Sequence, residues 1–242
     1  MFFTFFPVMR LNAALVEGTT MSRRNGMAVL CAVVASVSIV QADSIDLEYT
    51  GISGGIGVTV TPGGTFSAGH MNHTIYNGAN PTGSFQTFCI ELGENANNGV
   101  STYQIVDLTS APDPDLGGST YTQAQADAVI DVVANAVSLG WIDINLQNAG
   151  GTSEQISAVQ AGIWAALFGS ASSSNAGVQT ALSALSSESV NQGTRALMAS
   201  RLRAAVAQGE QDMLYVVPLP PAAWAGLGML GAFAGVRSCR RR

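Results

Sequence analysis

The chain predicts an α+β domain, with an antiparallel β-rich N-terminal half, a helical second half and a closing strand. Three observations predict it. Apolar and polar residues alternate across residues 44–108. From Thr122 onward the apolar residues recur at helical spacing instead. Met213-Leu214-Tyr215-Val216-Val217 then returns to a strand-like run.

The elements follow in order. Ile45, Leu47 and Tyr49 alternate with polar neighbours, and Ile56, Val58 and Val60 alternate with Gly57 and Thr59. Pro62-Gly63-Gly64 is a turn signal leading into a hairpin with Thr65-Phe66-Ser67. Residues 84–92, containing Phe85, Phe88, Cys89 and Ile90, and residues 102–108 read as further strands. Asp113-Pro114-Asp115-Leu116-Gly117-Gly118 breaks the pattern. Thr122 is placed to cap a helix to about Leu139, with Ala126, Val129, Ile130, Val133 and Val137 on one face. Thr152 and Gln155 have capping-box spacing. The helix that follows carries Ile156, Val159, Gln160, Ile163, Trp164 and Leu167 on one stripe. Residues 170–176 read as a small-residue loop, and 178–185 and 195–207 as shorter helices. No internal repeat is visible.

Charge is distributed unevenly. Of 242 residues, 47% are hydrophobic and 11% charged, which excludes a disordered chain. There is no lysine. Arg10, Arg23 and Arg24 lie near the start, and Arg237, Arg240, Arg241 and Arg242 at the end. Only Arg195, Arg201 and Arg203 lie between, so the middle is acidic and unsuited to a phosphate backbone. Nucleic acid is therefore not an expected partner.

Both ends read as processing segments. Ser22-Arg23-Arg24-Asn25 precedes an apolar run over residues 27–40 and then Val40-Gln41-Ala42. That is the order of a secretory signal: charge, apolar run, cleavage site. The run is short for a membrane span, so removal after Ala42 is expected. Residues 1–42 form the signal region, with Met21 the expected true start. Leu30, where a small residue would be needed, argues against lipidation at Cys31. At the other end stand Val217, Pro218, Leu219, Pro220 and Pro221, then Trp224, an apolar run and an arginine-rich terminus. The prolines hold an extended segment, the apolar run can enter a bilayer as a transmembrane helix, and the arginines stay cytoplasmic.

This arrangement over residues 218–242 resembles the PEP-CTERM sorting signals of Gram-negative bacteria, in the variant class with leucine at the usual glutamate position (Leu219). The N-terminal signal order implies signal peptidase as a partner, and the resemblance implies an exosortase. It also implies a membrane-held intermediate at the inner membrane, and display at the cell surface or release outside the cell. Proteins with such tails are often linked to extracellular polysaccharide and biofilm matrix.

Residues 43–217 would then be a single extracellular domain. Removal of Cys31 and Cys239 leaves Cys89 as its one cysteine, unable to form an internal disulfide. Gln160 is a second oddity, because it sits four residues from Ile156 and from Trp164 on an apolar face. A buried amide without partners costs about 1–3 kcal/mol per group. Two explanations stand. Cys89 is a small core residue and Gln160 bonds backbone, or the thiol has attacked the carboxamide, expelled ammonia and left an internal thioester. Phe88-Cys89-Ile90 and Gln160-Ala161-Gly162-Ile163-Trp164 resemble the paired motifs of thioester domains in bacterial surface adhesins. They depart from them at Val159 and Gly162. The resemblance implies covalent adhesion to an amine-bearing or hydroxyl-bearing surface such as exopolysaccharide, with Glu91 and Trp164 shaping and drying the site.

Other chemistry fails. His70 and His73, beside Asn72, lack further ligands for zinc and read as solvated loop residues. Glu91 and Glu94 read as exposed acids. There is no Gly-x-Ser-x-Gly elbow or phosphate loop. No catalytic residues, metal or cofactor are expected, and the chain is not expected to be an enzyme. The alternatives are a passive matrix or carbohydrate-binding module and, less favoured, a secreted hydrolase.

Overall fold

A computed structural model describes residues 44–111 and 120–218. The expected signal segment with Met21, Cys31 and Ala42, and the tail with Leu219, Pro220, Pro221 and Cys239, lie outside the described residues. Among the described residues no helix is long and apolar enough to cross a membrane.

The described chain is mixed α and β, with a curled antiparallel sheet and four helices. The strands are β1 (Ser44–Thr61), β2 (Gly64–Asn77), β3 (Asn80–Thr87), β4 (Val100–Val106), β5 (Ser170–Ser172), β6 (Leu202–Ala207) and β7 (Glu210–Val216). The helices are α1 (Gln123–Ser138), α2 (Ser153–Phe168), α3 (Ala176–Ser187) and α4 (Gln192–Arg201). The two predicted alternating runs at the start are one strand of 18 residues. Its length lets it serve two neighbours on one edge, β4 along residues 44–48 and β5 along residues 59–61. Along the other edge it pairs with β2, through the expected hairpin. The register shifts twice, between Tyr49 and Gly51 and between Ser53 and Ile56. Such bulges bend a strand and increase its twist.

At the second bulge the backbones approach closely. A β-carbon on Gly69 would sit 2.5 Å from the Ser53 carbonyl oxygen and 3.2 Å from Gly55 N. Gly69→Ala is therefore expected to cost about 1–3 kcal/mol, the usual penalty for forcing atoms into a packed core. Urea denaturation would show it as a lowered midpoint with unchanged slope.

The sheet runs β3-β2-β1-β4-β6-β7, and its two ends meet. Just past β3, Leu214 N–H donates to the Phe88 carbonyl at 2.9 Å, and Ile90 N–H donates to the Asp212 carbonyl at 3.0 Å. Cys89 faces Met213 across this seam. The predicted strand over residues 84–92 is thus two pieces: β3 pairs with β2, and residues 88–90 leave β2 to close the curl against β7.

Two cores result. Leu47, Tyr103, Ala205 and Met213 fill one, with Ile75, Phe85 and Tyr215 against them. The larger core joins Val58, Val60, Met71, Phe88 and Ile90 to the helices. The predicted cap at Thr122 and the predicted capping box at Thr152 with Gln155 form, and the Thr122 cap is a box as well, with Gln125. Helix α2 is buried on every side from Ile156 to Trp164. Burial of each large apolar side chain there contributes about 1.5–3 kcal/mol. Gly162 permits this enclosure: a β-carbon would lie 3.0 Å from Leu185 and 3.1 Å from Val132, on the flanking helices.

Two expectations need correction. The predicted helix over residues 195–207 ends at Arg201, and Leu202–Ala207 is strand β6. Its alanines favour a helix, but β4 and β7 offer hydrogen-bonding edges on both sides, and tertiary pairing overrides weak propensity. Arg201 marks the change. It is buried, and its guanidinium donates to the Val217 carbonyl at 3.0 Å, the Ile144 carbonyl at 3.1 Å and Asn145 Oδ1 at 2.8 Å. Val217 N–H returns a bond to the Arg201 carbonyl, so the chain is held at the start of the proline motif, before Pro218. The loop expected over residues 170–176 contains β5, which pairs with the far end of β1.

Candidate functional site

Cys89 and Gln160 are 71 residues apart in sequence and in direct contact. The seam explains the contact. The bonds of Phe88 and Ile90 to β7 flank the Cys89–Met213 pair, so the Cys89 N–H and C=O point away from β7. Among the described residues no strand lies on that side to receive them. The Gln160 carboxamide does so instead. Its Oε1 accepts from Cys89 N–H at 2.9 Å, and its Nε2 donates to the Cys89 carbonyl at 2.7 Å. The side chain acts as a one-residue strand, completing the backbone bonding that a buried peptide group requires. Gln160 is 1% exposed and Cys89 is 3% exposed.

The sulfur has its own surroundings. Cys89 Sγ–H donates to the Glu91 carbonyl, and Glu91 N–H points at Sγ from 3.3 Å. The Trp164 indole N–H has no conventional hydrogen-bond partner, and its proximity to the sulfur helps to lower the thiol pKa. Burial outweighs these donors and pushes the Cys89 thiol up to about 12, so the unreacted thiol stays protonated at neutral pH. Such a cysteine is not a ready nucleophile for turnover.

Of the two residues expected to shape the site, Trp164 lines the cavity beside the pair and Glu91 lies two residues beyond Cys89. Trp164 lies one turn beyond Gln160 on α2 and packs against Phe66, with ring centroids 5.8 Å apart. Glu91 is not an exposed acid. It is 7% exposed, with Oε2 accepting from Asp212 N–H at 3.4 Å. Glu94 binds the turn between β6 and β7, its Oε1 accepting from Gly209 N–H at 3.1 Å. Asp212, also buried, accepts from Ala207 N–H at 3.1 Å. Only its place one residue before an apolar run hinted at its burial.

His70 and His73 are not solvated loop residues. Both lie in β2 and are 1% exposed. His70 packs on Phe88 with ring centroids 4.5 Å apart, and His73 lies between Tyr49 and Phe85 at 5.6 and 5.4 Å. Burial lowers both to about 4, against the opposing pull of the Leu146 carbonyl and Asp143 on His70 and the Met71 carbonyl on His73. They are neutral at pH 7. Among the described residues no group of three or more His, Cys, Asp or Glu is placed to hold a metal ion.

A cavity of about 240 Å³ opens beside the pair, lined by Tyr49, Phe66, Asn95, Trp164 and Gln211 together with Cys89 and Gln160. The sequence offered no means of finding Tyr49, Asn95 or Gln211, which come from separate strands and loops. No protein-family model, curated protein or solved structure matches the chain.

Proposed function

We propose that the chain is an exported surface or extracellular-matrix protein that attaches covalently through a Cys89–Gln160 thioester. One observation carries the mechanism: the Gln160 carboxamide is seated on the backbone of the same residue that carries the thiol, at 2.9 and 2.7 Å, in a site nearly closed to water. Proximity of this kind makes an unfavourable reaction effectively unimolecular. The sulfur bonds to the Gln160 carboxamide carbon, the carbon–nitrogen bond breaks, and the thiol proton leaves with the nitrogen as ammonia. An external amine or hydroxyl then takes the acyl group and returns the thiol. Each molecule acts once, so this is adhesion and not enzymatic turnover.

Export and sorting rest on the two chain ends: the Arg23-Arg24 signal order with cleavage after Ala42, and the proline, apolar and arginine order of residues 218–242. In this reading signal peptidase and an exosortase are the processing partners, and the membrane holds an intermediate through the C-terminal apolar run. The product stands at the cell surface or outside the cell.

Thiol labelling tests the bond. Protein denatured at neutral pH is expected to resist alkylation at Cys89 until hydroxylamine is added. Full labelling without hydroxylamine would contradict the thioester. A second reading, a passive matrix or carbohydrate-binding module, draws on a specific feature: the carboxamide already satisfies Cys89 at both ends, and the thiol is protonated.

A further inference from the structure

The cavity beside Cys89 and Gln160 carries an inference about what is captured, and it rests on the thioester reading for its covalent step. Its lining contains no charged side chain. Tyr49, Phe66 and Trp164 supply aromatic surface, and Asn95, Gln211 and Ser67 supply neutral donors and acceptors. Burial raises the Tyr49 hydroxyl, so that group is neutral as well. At about 240 Å³ the space lies below the range of ordinary ligand pockets, about 300–1,000 Å³, and suits a single small ring or chain end.

Charge decides among ligand classes. Among the described residues an anion finds no free counter-charge: Arg195 is paired with Asp127 and Asp131, Arg203 with Asp107, and Arg201 is buried against carbonyls. An ammonium group is drawn towards the acidic domain at long range, but salt screens that attraction. No carboxylate is among the lining residues to offset its lost hydration; Glu91 and Asp212, whose charges reach Cys89, are already engaged by backbone N–H groups, and a protonated amine cannot attack an acyl carbon. A neutral polyhydroxylated ring meets aromatic faces and amide groups, both of which it can use without a charge.

We infer that the cavity receives a neutral sugar residue and that the captured nucleophile is a sugar hydroxyl. The hydroxyl oxygen bonds to the Gln160 acyl carbon, the carbon–sulfur bond breaks, and the hydroxyl proton ends on Cys89 Sγ. An ester to the saccharide and a free thiol result.

The test uses the full-length chain in mild detergent with neutral gluco-, galacto- and manno-configured trisaccharides, and N-acetyl-lysine amide as the amine probe. Intact mass is expected to show a saccharide adduct, removed by hydroxylamine, forming about tenfold faster than the lysine adduct at equal concentration. Cys89→Ala should bind the same trisaccharide reversibly by calorimetry, and Asn95→Ala in that background should weaken binding about fivefold. If wild type shows no ammonia loss, the thioester reading fails, and reversible saccharide binding still decides the cavity. Faster lysine capture, or no saccharide bound by either protein, would overturn the inference.

Discussion

In the unreacted chain, with the Cys89 thiol free and the Gln160 carboxamide intact, Gln160→Met is expected to destabilise the domain by about 2–5 kcal/mol. The substitution keeps most of the side-chain volume and removes both polar ends. Cys89 N–H and C=O, which the carboxamide meets at 2.9 and 2.7 Å, would be left buried with no other strand among the described residues to receive them. Each unsatisfied buried group costs about 1–3 kcal/mol. Cys89→Ala removes only the sulfur, leaves the carboxamide in place, and should cost about 1–2 kcal/mol. Urea denaturation of the two variants beside wild type checks the ordering. Equal losses would mean that the carboxamide does not complete the seam.

The second large effect is on acid stability. His70 and His73 are lowered by burial from 6.5 to about 4 in the folded chain. The folded state therefore binds fewer protons than the unfolded state between these values. Their contribution is fully present above pH 6.5, falls as the pH drops towards 4, and changes little below that. A shift of this size corresponds to about 3 kcal/mol for each histidine as a ceiling. The denaturation midpoint of wild type should fall steeply between pH 7 and pH 4.5. A His70→Leu, His73→Phe double variant should lose most of that slope, since Phe88 on one side and Tyr49 with Phe85 on the other can pack an apolar replacement. An identical pH slope in both proteins would contradict this assignment.

What could be read from the sequence was what depends on local periodicity. Alternation in residues 44–60, the Thr122 cap and the Thr152 capping box are local signals, and the strand, both helices and both caps are present. Gln160 was conspicuous because an amide on an apolar stripe demands a partner. Its partner was harder to read, since the need for it arises at a seam between β3 and β7 that no local pattern describes. His70 and His73 were misread for a related reason. They are three apart and flanked by polar or small residues such as Gly69 and Asn72, which resembles a loop, but β2 is buried by the rest of the sheet and by helix α2. Alanine-rich β6 carried helix propensity, and two long-range pairings overrode it. Glu91 stood beside an apolar triplet, yet nothing local disclosed that Asp212 would come to meet it.

The most direct test of the central claim is the intact mass of the purified segment spanning residues 43–217, beside its Cys89→Ala variant. The thioester account predicts a wild-type mass short by one ammonia and a variant at its full expected mass. A wild-type mass at the full expected value, with Cys89 alkylated after denaturation, would contradict it and leave Cys89 and Gln160 as a structural pair that closes the sheet.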